Sequence, residues 1–119
     1  MLRVNDFVPV LPLADLPEGT ATKVEVNGIE VCLVHSQGQV FAIDDTCSHA
    51  EVSLSEGDVE GCFIECWLHG SRFDVRTGQP IGPPAILPVP VYSTRVVGDD
   101  ADAMIFVSAN RGGGHTWQN

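Results

Sequence analysis

Two short Cys/His pairs constrain the fold of this chain more than any other feature. Cys47 and His49 form one pair and Cys66 and His69 the other, in the pattern C-x-H-x16-C-x-x-H. The chain begins MLRVNDFVPV, without a basic segment followed by a long apolar one, so a reducing compartment is expected. There, paired Cys and His indicate metal binding. The fold must therefore bring two loops together around one inorganic group, with ionised Cys and neutral His as ligands.

Length and charge exclude several classes of function. A chain of 119 residues makes one domain of ordinary size. Six Lys and Arg against 16 Asp and Glu give a formal charge of −10, so nucleic acid and anionic membrane surfaces are excluded as partners, and a basic protein fits better. No apolar run approaches the length of about 18 residues that spans a bilayer. We expect a cytoplasmic monomer.

Apolar and polar residues alternate with a period of two along most of the chain, which predicts an all-β domain with few helices. Residues 21–35 read as a hairpin about Asn27-Gly28, a dipeptide suited to the positive φ angles of a tight turn. Residues 40–43 supply another short strand. A second hairpin is predicted from residues 89–97 and 103–108.

The amino-acid composition changes between the two hairpins. Residues 44–88 are interrupted by Gly and Pro and read as a loop-rich subdomain, inserted between basal segments 1–43 and 89–108. These segments together form one domain, residues 1–108. The tail 109–119, with the sequence ANRGGGHTWQN, has no pattern that could pack, so we expect it to be mobile and give its His and Trp no role.

Around the two pairs the sequence resembles the Rieske iron-sulfur family. The resemblance rests on both pairs, on Gly70-Ser71-Arg72-Phe73-Asp74, on Thr77-Gly78 and on Gly82-Pro83-Pro84, and it spans roughly residues 3–108. Within the family, the chain is most similar in length and loop size to the small ferredoxins of bacterial aromatic-ring dioxygenase systems. The implied fold has three antiparallel sheets, with a small cluster-binding subdomain inserted in a basal β-sandwich.

The resemblance also implies one 2Fe-2S cluster, with Cys47 and Cys66 on the inner iron and His49 and His69 on the outer, solvent-facing iron. Three further positions are expected to contact the cluster. Gly70 would allow close approach of the backbone and Pro83 would lie in a stiff covering loop, while the residue matching Ser71 in respiratory relatives donates a hydrogen bond to a sulfide.

The chain departs from the family at four positions. Val52 and Leu68 occupy the places of two Cys that form a disulfide in respiratory Rieske proteins, so that disulfide is absent. Phe73 occupies the place of a Tyr in the same respiratory relatives, and Trp67 occupies a place that is commonly Pro in the family. Trp67 is a candidate partner contact, with packing over the ligand loop as the alternative. Because the disulfide is missing and the neighbourhood is acidic, we expect a potential at the low end of about −150 to +300 mV.

A structural zinc site uses the same ligand types, but the mixed Cys/His loops and the tight C-x-H spacing disfavour it. Cys32 and Cys62 lie in strand-like apolar stretches and are expected to be small buried residues rather than ligands. His35 precedes a turn and receives no role.

Acidic residues crowd residues 44–65, a segment of 22 residues without Lys or Arg. They number seven of the sixteen in the chain: Asp44, Asp45, Glu51, Glu56, Asp58, Glu60 and Glu65. Two interpretations stay open here, a solvated face and a surface that orients a basic redox partner.

The expected function is that of a one-electron carrier, taking electrons from an NAD(P)H-dependent flavoprotein reductase and passing them to a terminal aromatic-ring dioxygenase. The chain would not be an enzyme alone, because only His35 and His115 remain for an oxygenase iron and no G-x-G-x-x-G or P-loop occurs. The alternatives are the small subunit of a nitrite reductase and a zinc-stabilised interaction module.

Overall fold

The computed structural model describes residues 7–46, 52–67, 70–81, 87–99 and 102–109. Of the predicted site residues, Cys47, His49, His69 and Pro83 lie outside these ranges. The strands are β1 (Val8–Pro12), β2 (Thr20–Val26), β3 (Ile29–Ser36), β4 (Gln39–Asp44), β5 (Val59–Glu60), β6 (Phe63–Glu65), β7 (Arg72–Asp74), β8 (Pro80–Ile81), β9 (Val91–Val97) and β10 (Met104–Ser108). Short 3-10 turns occur at Leu13–Asp15 and Leu54–Glu56, and no helix among the described residues is long and apolar enough to cross a membrane.

The strands form a six-stranded and a four-stranded sheet, and both are antiparallel. β1, β10 and β9 pair in that order, and β9, β4, β3 and β2 continue from there. β9 connects the two halves of the six-stranded sheet, because Tyr92 pairs with Ala42 of β4, whereas residues 93–97 pair with β10. β5 to β8 form a separate four-stranded sheet. The expectation of an all-β domain with antiparallel sheets is confirmed; β9 joins two of the three expected sheets into the six-stranded one.

The predicted hairpin of residues 21–35 is present as β2 and β3. Asn27 and Gly28 have φ angles of 53° and 81°, which a two-residue hairpin turn of this type requires at both positions. The second hairpin is also present, but its first strand begins at Val91, two residues later than predicted. Pro90 has no N–H to give to a ladder, and the N–H of Val89 donates to the Gly78 carbonyl at 2.9 Å instead.

Two features at the termini differ from the expectation. β1 was not predicted, because Pro9 and Pro12 interrupt its pattern; it is an edge strand, where a missing N–H is tolerated. Ala109, predicted to begin the mobile tail, is fully buried, and its carbonyl accepts a hydrogen bond from the Asn27 side chain at 3.4 Å. Residues 110–119 lie outside the described part of the chain.

β3 is buried on both faces and separates two apolar clusters. We call them the basal core (Leu16, Val26, Ile29, Val31, Leu33, Val40, Ala42, Ile105, Val107 and Ala109) and the bridging core (Cys32, Val34, Ile43, Leu54, Cys62, Ile64, Cys66, Phe73, Val75 and Val89). Because successive side chains of a strand point to opposite faces, Val31 and Leu33 enter the basal core while Cys32 and Val34 enter the bridging core. The bridging core attaches the four-stranded sheet to the rest of the domain.

Candidate metal centre

The loop that carries the first Cys/His pair leaves the end of β4 and is closed at its base. Thr46 and Ser53 form an isolated antiparallel bridge across it. Just outside that bridge, the Asp45 carbonyl accepts a hydrogen bond from the Leu54 N–H at 2.6 Å, and the Asp45 Oδ1 accepts one from the Ser55 N–H at 2.9 Å. The chain therefore returns at Ser53 to the place that it left at Thr46.

Asp44 and Asp45 belong to this base and not to a solvated acidic face. Asp44 accepts hydrogen bonds from the Thr46 N–H at 3.0 Å and from the Tyr92 hydroxyl at 2.9 Å. Asp45 is 0% exposed, and its second carboxylate oxygen has no hydrogen-bond partner among the described residues. Two of the seven clustered acids thus have structural contacts, and the open choice between solvation and docking applies to the others. An Asp side chain often accepts a hydrogen bond from the N–H two residues later, in an Asx turn. This property of Asp could have revealed the role of Asp44.

The loop that carries the second pair closes the β6–β7 hairpin. The Cys66 N–H donates to the Ser71 carbonyl at 2.6 Å, and the Gly70 N–H donates to the Cys66 carbonyl at 2.9 Å. Gly70 has a φ of 79°, a left-handed conformation that Gly adopts without steric cost. Ser71 follows it and is fully buried.

A steep change in burial accompanies this loop. Cys66 is 0% exposed and lies in the bridging core with Leu54, whose N–H closes the first loop, so the bases of both loops share one core. Trp67, the next residue, is 52% exposed, and Gly70 is exposed as well. A buried thiol next to a segment that reaches the surface fits a cluster whose Cys ligands lie inside and whose His ligands face solvent.

The remaining Cys and His residues that the structure describes, Cys32, Cys62 and His35, are surrounded by other protein groups. Cys32 is buried as predicted; burial, together with the nearby Asp45 carboxylate, raises the pKa of its thiol, which stays protonated. Cys62 is also buried, but it lies in the β5–β6 turn and not in a strand, with its sulfur 3.6 Å from Gln37 Oε1. The Nδ1 of His35 lies 2.7 Å from the Leu16 carbonyl oxygen.

Comparison with known proteins agrees with this geometry. Residues 6–93 match the family described as Rieske [2Fe-2S] domain. The ferredoxin component of the naphthalene 1,2-dioxygenase/salicylate 5-hydroxylase systems of Ralstonia sp is 39% identical over 92 residues, covering 77% of this chain and 88% of the relative. The ferredoxin of carbazole 1,9a-dioxygenase from Nocardioides aromaticivorans IC177 has a TM-score of 0.78 and 42% identity, over 87% of this chain and 98% of that one. A ferredoxin structure in complex with the oxygenase of a carbazole 1,9a-dioxygenase has a TM-score of 0.75 and 33% identity, over 84% and 99% of the two chains.

The β-fold, the two loops that close on one shared core and these matches together define the class of this protein. It is an iron-sulfur protein that transfers electrons and is not an enzyme on its own. The chain belongs to the Rieske [2Fe-2S] domain family and carries one 2Fe-2S cluster. The resemblance inferred from the two Cys/His pairs is confirmed.

Proposed function

We propose that this protein passes single electrons from an NAD(P)H-dependent flavoprotein reductase to a terminal oxygenase that attacks an aromatic ring. The observation that carries the proposal is the step from the fully buried Cys66 to the half-exposed Trp67, because a redox centre held by Cys66 would lie directly beneath a surface that a partner can touch. The names of the similar ferredoxins, which are components of dioxygenase systems, support the class of partner. The proposed carrier is a cytoplasmic monomer.

Within this proposal, Cys47 and Cys66 hold the inner iron, and His49 and His69 hold the outer one. The cluster supplies a one-electron couple. Cys66 reaches it from the bridging core, and the burial of Ser71 beside the same loop suits a hydroxyl that hydrogen-bonds to a sulfide.

The domain division is part of the same proposal. Residues 44–88 hold the cluster, while residues 1–43 and 89–108 form the basal part of a single domain 1–108. Asp44 supports this division, since its backbone N–H donates to the Pro90 carbonyl at 2.9 Å and its carboxylate accepts the Tyr92 hydroxyl at 2.9 Å. The start of the first ligand loop is thus tied to the basal strand β9.

The experiment is a single-turnover transfer measured without substrate. Anaerobically reduced protein is mixed with the oxidised terminal oxygenase of carbazole 1,9a-dioxygenase from Nocardioides aromaticivorans IC177, whose ferredoxin resembles this chain. We expect the visible spectrum of the reduced protein to return to the oxidised form at a rate that rises with oxygenase concentration. Cluster-free Cys66→Ser protein is the control. A reduced cluster that persists after mixing would contradict the proposal.

A further inference from the structure

Within the described part of the chain, no element packs over one face of the four-stranded sheet. Residues directly opposite each other in an antiparallel sheet share a face, and the pairing of Ile64 with Phe73 turns these two side chains into the bridging core. Their neighbours in sequence point the other way. We call this second surface the outer face; its residues are Asp58, Glu60, Phe63, Glu65, Arg72, Asp74 and Ile81.

Negative charge exceeds positive charge on the outer face: Arg72 lies opposite Glu65, but in the described pairings no basic residue lies opposite Asp58 or Glu60. The Glu65 N–H donates to the Asp58 carbonyl at 2.9 Å, so these two acids stand opposite each other on neighbouring chain segments, with Glu60 close by. Like charges in opposing positions destabilise a sheet. Among the described residues, the ion pairs within 4.0 Å involve none of the three carboxylates. A cation supplied by another molecule would relieve this repulsion.

The outer face also contains a cleft of about 190 Å³. Its lining combines the three carboxylates with Phe63, Val59 and Arg72. Lys and Arg side chains place their apolar stems along such surfaces and keep the charged head near carboxylates, and an aromatic ring adds a cation–π attraction. The lining therefore suits a basic side chain.

The outer face is continuous with the metal centre. Glu65 directly precedes Cys66, and Glu65 pairs with Arg72, which pairs in turn with Ile81 on the edge strand. Ile81 is 45% exposed, and Trp67, just beyond Cys66, is 52% exposed. Exposed apolar side chains beside charged ones are the composition of a protein contact site.

We propose that the outer face docks a redox partner whose contact surface carries Lys or Arg beside an apolar patch. A basic side chain enters the cleft between Asp58, Glu60 and Glu65, while Trp67 and Ile81 contact the apolar patch. The partner then approaches from the side of the four-stranded sheet and not from the basal sheet. The inference rests on the proposed function only in taking the partner to be a redox protein.

The test compares two double variants that each remove two carboxylates. D58N/E60Q alters the outer face, whereas D99N/D102N alters the β9–β10 turn, at the far end of β9 from the ligand loops. The measured quantity is the second-order rate of electron transfer from reduced holoprotein to mitochondrial cytochrome c, a small basic haem protein, at low ionic strength. One charge pair at about 6 Å in water corresponds to about threefold in rate. We therefore expect D58N/E60Q to be about tenfold slower than the wild type and D99N/D102N to stay within about twofold.

Salt and a third variant sharpen the outcome. At about 1 M salt, where charges are screened beyond about 3 Å, the D58N/E60Q rate should meet that of the wild type, while W67A should remain slower. Equal rates for the two double variants, with an active wild type, would overturn the outer face as docking surface. A wild type that holds no reducible cluster would instead refute the proposed function.

Discussion

The basal sheet and the four-stranded sheet are stabilised in different ways. Strands β2, β3 and β9 are seven or eight residues long and enclose the basal core, whereas β5 and β8 contain two residues each. Short strands contribute few ladder hydrogen bonds, and the four-stranded sheet has one buried face, which packs on the bridging core. We infer that the basal sheet can fold by apolar burial alone, whereas the region around the ligand loops depends more on its metal for stability.

Loss of the cluster should produce the largest effect on stability, and this effect should differ most between the two sheets. Cys66→Ser should abolish cluster binding, because the hydroxyl of Ser is a poor ligand for iron and Cys66 lies in the bridging core at the base of the ligand loop. Hydrogen exchange should then accelerate strongly in residues 52–81 and little in β2, β3 and β10. Cys32→Ser, a buried Cys of β3, is the matched control and should keep the colour. Uniform acceleration over the whole chain would contradict the comparison.

A cavity in the basal core should destabilise the protein whether or not the cluster is bound. Leu33 is fully buried there, and Leu33→Ala should lower the free energy of unfolding by about 2–5 kcal/mol. Urea unfolding of the cluster-free protein, followed by circular dichroism, measures it. A loss confined to the cluster-bound form would show that the basal sheet does not fold independently of the metal.

Ser71 allows a finer test within the ligand loop. Its proposed hydrogen bond to a sulfide favours the reduced state, so Ser71→Ala should lower the reduction potential by several tens of millivolts while the cluster stays bound; about 1.4 kcal/mol corresponds to roughly 59 mV for one electron. Ser93→Ala, on the exposed side of β9, is the control. A potential unchanged within error, measured by direct electrochemistry, would mean that Ser71 only shapes the loop.

The smallest effect concerns the β7 turn. The Arg76 side chain lies 2.8 Å from Asp74 and lowers the pKa of that carboxyl. A depressed pKa stabilises the fold above the unfolded value of about 3.9, and the stabilisation disappears as the pH falls through the folded pKa. Asp74→Asn should therefore be slightly less stable than the wild type at pH 7 and equal to it at the acid end of a pH series of thermal melts. A difference that persists in acid would exclude the ion pair as its cause.

The sequence predicted those features of the fold that depend on a local pattern of residues. Alternation predicted both hairpins, and the positive φ angles of Asn27 and Gly28 follow from that dipeptide. Edge pairing was not predictable, since β1 contains two Pro and is a strand only because β10 lies beside it. Tertiary contacts were also hidden: the acids of residues 44–65 include Asp44 and Asp45, which are buried at the end of β4, and Asp58 and Glu60, which are exposed on the outer face.

Mössbauer spectroscopy of iron-57-enriched protein, with iron and acid-labile sulfide determined on the same sample, tests the central proposal most directly. Two Cys on one iron and two His on the other make the irons unequal. We predict two irons and two sulfides per chain, two sites of equal area in the oxidised protein, and an added electron localised on the His-ligated iron after reduction. Zinc, a single iron per chain, or two equivalent iron sites would contradict the assignment of Cys47, His49, Cys66 and His69.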